Sequence, residues 1–177
     1  VDDLLKRLPA GVAVIDFVRL SDWKFVNSEI SIKNKEGNKE TRTVRSSEAR
    51  PVYDAFILRS NRTREQNPVR WVPLGAAEPI DDSIAAWRRM LVDPKRVASD
   101  SPRRLRDLIW DKLEPHLDGI HTVDVIADGN LHRLPWGALP GRQPGQYLIE
   151  EYALTAAASG QQLYGMLVNP RAKTKKQ

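Results

Sequence analysis

The chain has 177 residues, 41% of them hydrophobic and 29% charged, with no cysteine and a formal net charge of +5. That length suits one domain with a sizeable core, and the missing thiols exclude disulfides, a zinc ribbon and a cysteine nucleophile within these residues. No run approaches the ~18 consecutive apolar residues of a membrane span, and the acidic opening at Asp2-Asp3 lacks the form of a secretory signal, so a cytoplasmic setting is expected.

In chain order, Leu8-Pro9-Ala10-Gly11 punctuates the start, and Val12–Leu20 (VAVIDFVRL) follows as a β-branched, aromatic segment suited to a strand buried on both faces. Trp23–Ile32 is less regular but carries period-2 stretches. Lys33–Arg50 holds nine charges, with Val44 its only large apolar side chain, and reads as an exposed loop or long hairpin tip. Tyr53–Arg59 and Val69–Leu74 return as strands. The period then changes. Glu78–Ser83 is a helix-start signal, and Ile84, Trp87, Met90 and Leu91 give a helical stripe that Asp93-Pro94 stops. Ser101 as N-cap and Pro102 at the first helical position open a second helix, with Leu105, Leu108, Ile109, Leu113 and Leu117 on its apolar face and Asp118-Gly119 closing it. Thr122–Ala127 and Tyr152–Ala156 read as strands, and Ser159 as the cap of a helix through Leu163 and Leu167. This order predicts an α/β sheet with flanking helices, preceded by an amino-terminal β-rich segment.

The positive balance does not mark a nucleic-acid surface. Of the +5, +4 falls in residues 171–177 (RAKTKKQ), which read as a basic, disordered tail running from 169. Binding to nucleic acid is not expected. The five tryptophans are spread one to an element, which predicts core packing in place of a base-stacking platform. Asn61-Arg62-Thr63 has the form of a glycosylation sequon, without meaning in a chain that is not secreted.

The densest motif is Asp124–Pro140 (DVIADGNLHRLPWGALP). A buried strand ends at Ala127, and Asp128-Gly129-Asn130 makes a turn in which the carboxylate accepts local N–H groups and Gly129 tolerates positive φ. Leu131, Leu134, Pro135, Trp136 and Leu139 anchor the loop, and Trp136 starts a short helical turn. The end of a sheet strand is a position where ligands bind, but a scaffold role outweighs catalysis here. His116, His121 and His132 form no metal-ligand spacing, and no cysteine is present for a histidine to activate. Asp81-Asp82 suits the positive end of its helix, and Glu150-Glu151 caps or faces solvent. G-x-S-x-G, G-x-G-x-x-G and the P-loop pattern do not occur. No catalytic, cofactor-binding or metal-binding residue is assigned.

The motif resembles that of the CHAT domain, a caspase-like module often fused behind TPR repeats in bacterial proteins. The resemblance rests on Leu8–Gly11 with VAVIDFVRL and YDAFILR, on Val72-Pro73-Leu74-Gly75 leading into the Ile80–Leu91 helix, and most specifically on DGNLHRLPWGALP followed by Tyr147–Tyr152. It spans about residues 4–163 and implies a caspase-like sheet and a cysteine peptidase with a histidine–cysteine dyad. In that family the dyad follows two later strands, so the role does not transfer to His132, nor to His116 or His121. The implied reading is the amino-terminal portion, residues 4–168, of one incomplete CHAT-like domain, inactive alone. Its implied partners are proteins: the rest of the domain, TPR-type repeats and the parent's peptide substrate. Val1 in place of a methionine fits a fragment of a longer gene. The alternative is a degenerate caspase-like interaction module without peptidase activity.

Overall fold

The computed structural model describes residues 2–33, 39–60, 68–93 and 100–169. The sequon at 61–63, Pro94 and the tail from 170 lie outside them. A five-stranded mixed sheet runs in the order β3-β2-β1-β4-β5, with β1 Val12–Lys33, β2 Lys39–Arg59, β3 Val69–Ala76, β4 Thr122–Ile126 and β5 Ala153–Ala157. β1, β2 and β3 are antiparallel neighbours; β4 runs parallel to β1 and β5 parallel to β4. The expected mixed α/β sheet with flanking helices and amino-terminal strands is therefore what forms.

Strand alternation sends successive side chains of β1 to opposite faces. Ala13, Ile15 and Phe17 enter the larger core, shared with Tyr53, Ala55 and Ile57 of β2 and Val123 and Val125 of β4. Val14 enters a smaller core on the other face with Leu4, Leu5, Leu58, Ile126 and Leu163. Helix α2 (Ala77–Val92) and the helical stretch from Ser101 to His116 cover the first face. Helices α1 (Asp2–Arg7) and α6 (Gly160–Val168) cover the second. Ser159 caps α6 as the sequence predicts, its hydroxyl accepting the N–H of Gln162.

Several elements differ from expectation, each for a physical reason. The two segments Val12–Leu20 and Trp23–Ile32 are one continuous strand, since neither Gly nor Pro interrupts 12–33 and Ser21, Asp22 and Trp23 pair with Pro51, Arg50 and Ala49. Residues 39–50, read as part of an exposed excursion, are strand, with 39 and 41–50 exposed, while 34–38 lie outside the described residues. β4 pairs with β1 only as far as Asp16, and β3 with β2 only as far as Val52. Beyond those rungs the hairpin continues as a two-stranded arm. Pro51 sits where β2 becomes an edge, the position that tolerates a missing N–H.

Helix α2 starts a turn early, at Ala77, so its buried stripe is Ala77, Ile80, Ile84 and Trp87, while Leu91 is 59% exposed. Asp100, not Ser101, precedes the next helix, placing Pro102 at its second position. That stretch is α3 (Ser101–Leu105), a π turn (Arg106–Trp110), α4 (Asp111–Leu113) and a 3-10 turn (Glu114–His116). The π turn rotates the helix so that Leu105, Arg106, Ile109, Trp110 and Leu113 all point inward. The tryptophan expectation holds for Trp87 and Trp110, which are buried, and for half-buried Trp136. Trp23 and Trp71 are corrected: they are 62% and 58% exposed, one on the arm and one on edge strand β3.

Candidate functional site

β4 is buried along nearly its whole length, and its Asp124 carboxylate accepts a hydrogen bond from the Thr155 hydroxyl of β5. The chain leaves the sheet at Ala127, at the carboxyl end of a parallel strand. Asp128 then takes an extended conformation and caps a 3-10 turn, Gly129–Arg133. One carboxylate oxygen accepts the Gly129 N–H at 2.7 Å, and the other accepts the Arg19 N–H of β1 at 2.8 Å. Those two bonds hold the Asp128 carboxyl below the usual carboxylate range, the Arg19 amide foremost.

Gly129 has φ +55°, and a Cβ there would lie 2.6 Å from the Tyr53 hydroxyl and 2.8 Å from Arg19 Cδ. Tyr53 is fully buried. Its hydroxyl accepts the Asn130 N–H at 3.0 Å and donates to Asp81 Oδ1 at 2.9 Å, and the Arg19 guanidinium stands 3.8 Å from Asp81 Oδ2. Burial, with Asp81 beside it, pushes the phenol up to about 12. Asp81 thus joins α2 to β2 and β1 as well as lying in the first turns of a helix. Downstream, Leu131, Leu134 and Leu139 are buried, Pro135 is half-buried, and Trp136 opens a second 3-10 turn and stacks on Phe17 with ring centroids 4.9 Å apart. Asp128 and Gly129 thus meet β1 and β2 through Arg19 and Tyr53, Trp136 meets β1 through Phe17, and Leu131, Leu134 and Leu139 belong to the larger core.

The three histidines are not brought together. His132 is exposed on the first 3-10 turn. His116 and His121 lie before the amino end of β4, where the His121 ring packs over Gly11. Among the described residues no group of three or more His, Asp or Glu side chains is placed to hold a metal ion.

A second set of charged groups locks the far end of the loop. Arg106, 3% exposed, donates to the Pro140 carbonyl at 2.7 Å and to Glu114 at 2.7 Å, and pairs with Asp111 at 2.8 Å. Glu114 also accepts from Arg142, whose guanidinium donates to the Tyr152 hydroxyl at 3.2 Å and whose backbone N–H donates to Glu151. Glu150, the third residue of α5 (Leu148–Glu151), accepts the N–H of the N-cap residue Tyr147. One faint signal for this lock exists in the sequence: an arginine, Arg106, inside the apolar stripe of a helix, three before Ile109 and seven before Leu113.

Geometrically the site is a brace. Both oxygens of Asp128 are spent on backbone amides, and the Tyr53 hydroxyl is used as donor and acceptor at once. It stands in a mixed α/β sheet flanked by helices, the layout of caspase-like α/β proteins. Residues 99–177 match the family model of the CHAT domain. The match takes in the Asp128–Leu139 loop, β5 and α6 and covers somewhat less than half of the chain; the VAVIDFVRL, YDAFILR and Val72–Leu91 blocks lie before it. Neither a curated protein nor a solved structure matches. Among the described residues no helix is long and apolar enough to cross a membrane.

Proposed function

We propose that this chain supplies the scaffold of a CHAT-type, caspase-like cysteine peptidase whose histidine–cysteine dyad is carried by polypeptide other than these 177 residues. The observation that carries the reading is the commitment of the loop's polar groups. Asp128 and Tyr53 spend their donors and acceptors on backbone and on Asp81, leaving neither to abstract a proton from a substrate. The absence of cysteine agrees, because thiolate attack needs a low-pKa sulfur held beside a base. β5 supports it from another side. It pairs only with β4 among the described residues, so its outer edge is open to a further strand of the same sheet. The partners on this reading are the rest of the CHAT domain, TPR-type repeats that control it, and the peptide it cuts.

The test compares the complete natural gene product with the 177-residue chain on a pool of unstructured peptides. The expected result is cleavage by the complete product, abolished by thiol alkylation, and none by this chain. Cleavage by the chain alone, lost on changing one of its own side chains, would overturn the proposal.

The second reading, a non-catalytic interaction module, is favoured by the exposed apolar arm of β1 and β2. It takes precedence if the natural reading frame encodes no later histidine-bearing strand followed by a cysteine-bearing one.

A further inference from the structure

The face of the sheet covered by α1 and α6 contains a hollow of about 360 Å³. That is the lower end of the range of small-molecule sites, roughly 300–1,000 Å³. Its apolar lining comes from Leu4, Leu58 and Ile126, and Tyr164 and Asp3 stand at its rim. Asp16 lines it from β1. The strand face that carries Asp16 also carries Val14, which is fully buried, so an aliphatic residue would suit the position.

The two carboxylates here differ. Asp3 is already engaged, accepting from the Tyr164 hydroxyl at 2.5 Å and pairing with Arg7 at 3.6 Å. Asp16 is half-buried, and no described residue gives its carboxylate a hydrogen bond or an ion pair. A half-buried carboxylate without a partner is costly to hold. Its removal from water, and then the charge of Asp128, keep its carboxyl above the ordinary value. No described cation lines the hollow, and one free carboxylate over an apolar lining does not make the six or more oxygens of a hard metal ion. What complements it is a positive head on a hydrocarbon stem.

We propose that this hollow binds an organic cation with an alkyl stem, an alkyl-guanidinium or alkyl-ammonium group, whose stem lies on Leu4, Leu58 and Ile126 and whose charge pairs with Asp16. The proposal stands apart from the CHAT reading. Such a group occurs as a free amine or as an arginine or lysine side chain, and the two sources are separable by experiment.

The test is calorimetric titration of the 177-residue chain with agmatine, with a capped Gly-Arg-Gly peptide, and with the matching citrulline peptide as the uncharged control. Saturable binding of agmatine, of the arginine peptide or of both is expected, and which of them binds identifies the source. Asp16→Asn should weaken it by about tenfold or more, the range expected of a lost charge-assisted hydrogen bond. Asp3→Asn should weaken it less, because Asp3 already has partners. Affinity should fall as pH drops through the titration of Asp16. The groups facing it there are Asp3 of α1, paired with Arg7, Tyr164 of α6, and Asp128. Circular dichroism of Asp16→Asn separates lost binding from lost fold; if that variant unfolds, the charge requirement is read from the citrulline control and the pH dependence. Equal binding of the citrulline peptide, full binding by folded Asp16→Asn, or no binding by either cation would overturn the proposal.

Discussion

The carboxylate of Asp128 accepts the backbone N–H of Arg19 at 2.8 Å, joining a loop after β4 to a strand 109 positions earlier in the chain. The bond falls just past the last β1–β4 rung, Asp16↔Ile126, where the two parallel strands part. It continues the pairing by other means. An amide that the ladder no longer satisfies is met by a side chain.

Asp128→Asn should therefore destabilise the chain by about 1–3 kcal/mol, since the side-chain amide keeps one neutral acceptor oxygen and turns its NH2 toward the other backbone N–H. The pH dependence gives a second readout. The Asp128 carboxyl is lowered in the folded chain, so its contribution is fully present above the unfolded value near 3.8 and is lost as pH falls through the folded one. Asp16 works in the opposite sense. Its carboxyl is raised, so ionising it opposes folding once pH rises above its folded value, and lowering the pH relieves that. Thermal melts between pH 3 and 7 should show a flatter acid limb for Asp128→Asn and a higher Tm at neutral pH for Asp16→Asn.

Gly129 and Tyr53 should be coupled. Gly129→Ala places a methyl 2.6 Å from the Tyr53 hydroxyl at a φ of +55°, which predicts a loss of about 1–3 kcal/mol. Tyr53→Phe leaves the Asn130 N–H without its acceptor and predicts a similar loss. In the double variant the hydroxyl no longer meets the methyl, so the combined loss should be smaller than the sum. Denaturant midpoints for the two single variants and the double would show additivity if the close approach were immaterial.

Arg106→Met is the most disruptive single change expected. The guanidinium is 3% exposed and serves Glu114, Asp111 and the Pro140 carbonyl together. Its loss leaves the Pro140 carbonyl without this donor, Glu114 with Arg142 alone and Asp111 with Arg103 alone, so the cost should lie near the lower end of the roughly 3–5 kcal/mol of a broken buried pair. Double replacement with Glu114→Gln should recover part of it. A chain with Arg106→Met that melts within about 1 °C of the parent would show the lock to be ornamental.

What is legible in the sequence is local. The Ser159 cap, the apolar stripe of Leu105, Ile109, Leu113 and Leu117, and the Asp128-Gly129-Asn130 turn each rest on neighbours a few positions apart. The parallel pairing of β1 with β4 is not readable, because nothing in VAVIDFVRL names TVDVI as its neighbour across more than a hundred residues. Arg106 falls on the inward stripe even on a regular helical period, three before Ile109 and seven before Leu113, but its partners, Glu114, Asp111 and the Pro140 carbonyl, are set by tertiary packing that the sequence does not show. The exposure of Trp23 and Trp71 is hidden too: composition shows that an aromatic is present, and only topology shows that β1 and β2 outrun β4 and β3 and that β3 is an edge. Asp16 interrupts an apolar strand in plain view, yet its lack of a partner is a fact of three dimensions.

The arm formed by residues 20–33 and 39–52 carries the last prediction. Trp23 and Phe25 lie on one face of it, 62% and 67% exposed, with the Arg45 guanidinium 4.4 Å from the Phe25 ring centroid. Leu20, Val26, Ile30 and Val44 are exposed on the other. A two-stranded ribbon with both faces in water is marginal alone, and its open edges offer backbone donors and acceptors to another strand. The isolated chain should therefore associate as its concentration rises. Replacing Trp23 and Phe25 together by serine should reduce that association in sedimentation velocity while shifting stability by no more than about 0.5 kcal/mol, because neither side chain belongs to the core. A parent chain that stays monomeric at every concentration and unfolds in one sharp transition would show that the arm is self-sufficient, and that its exposed aromatics have no need of cover.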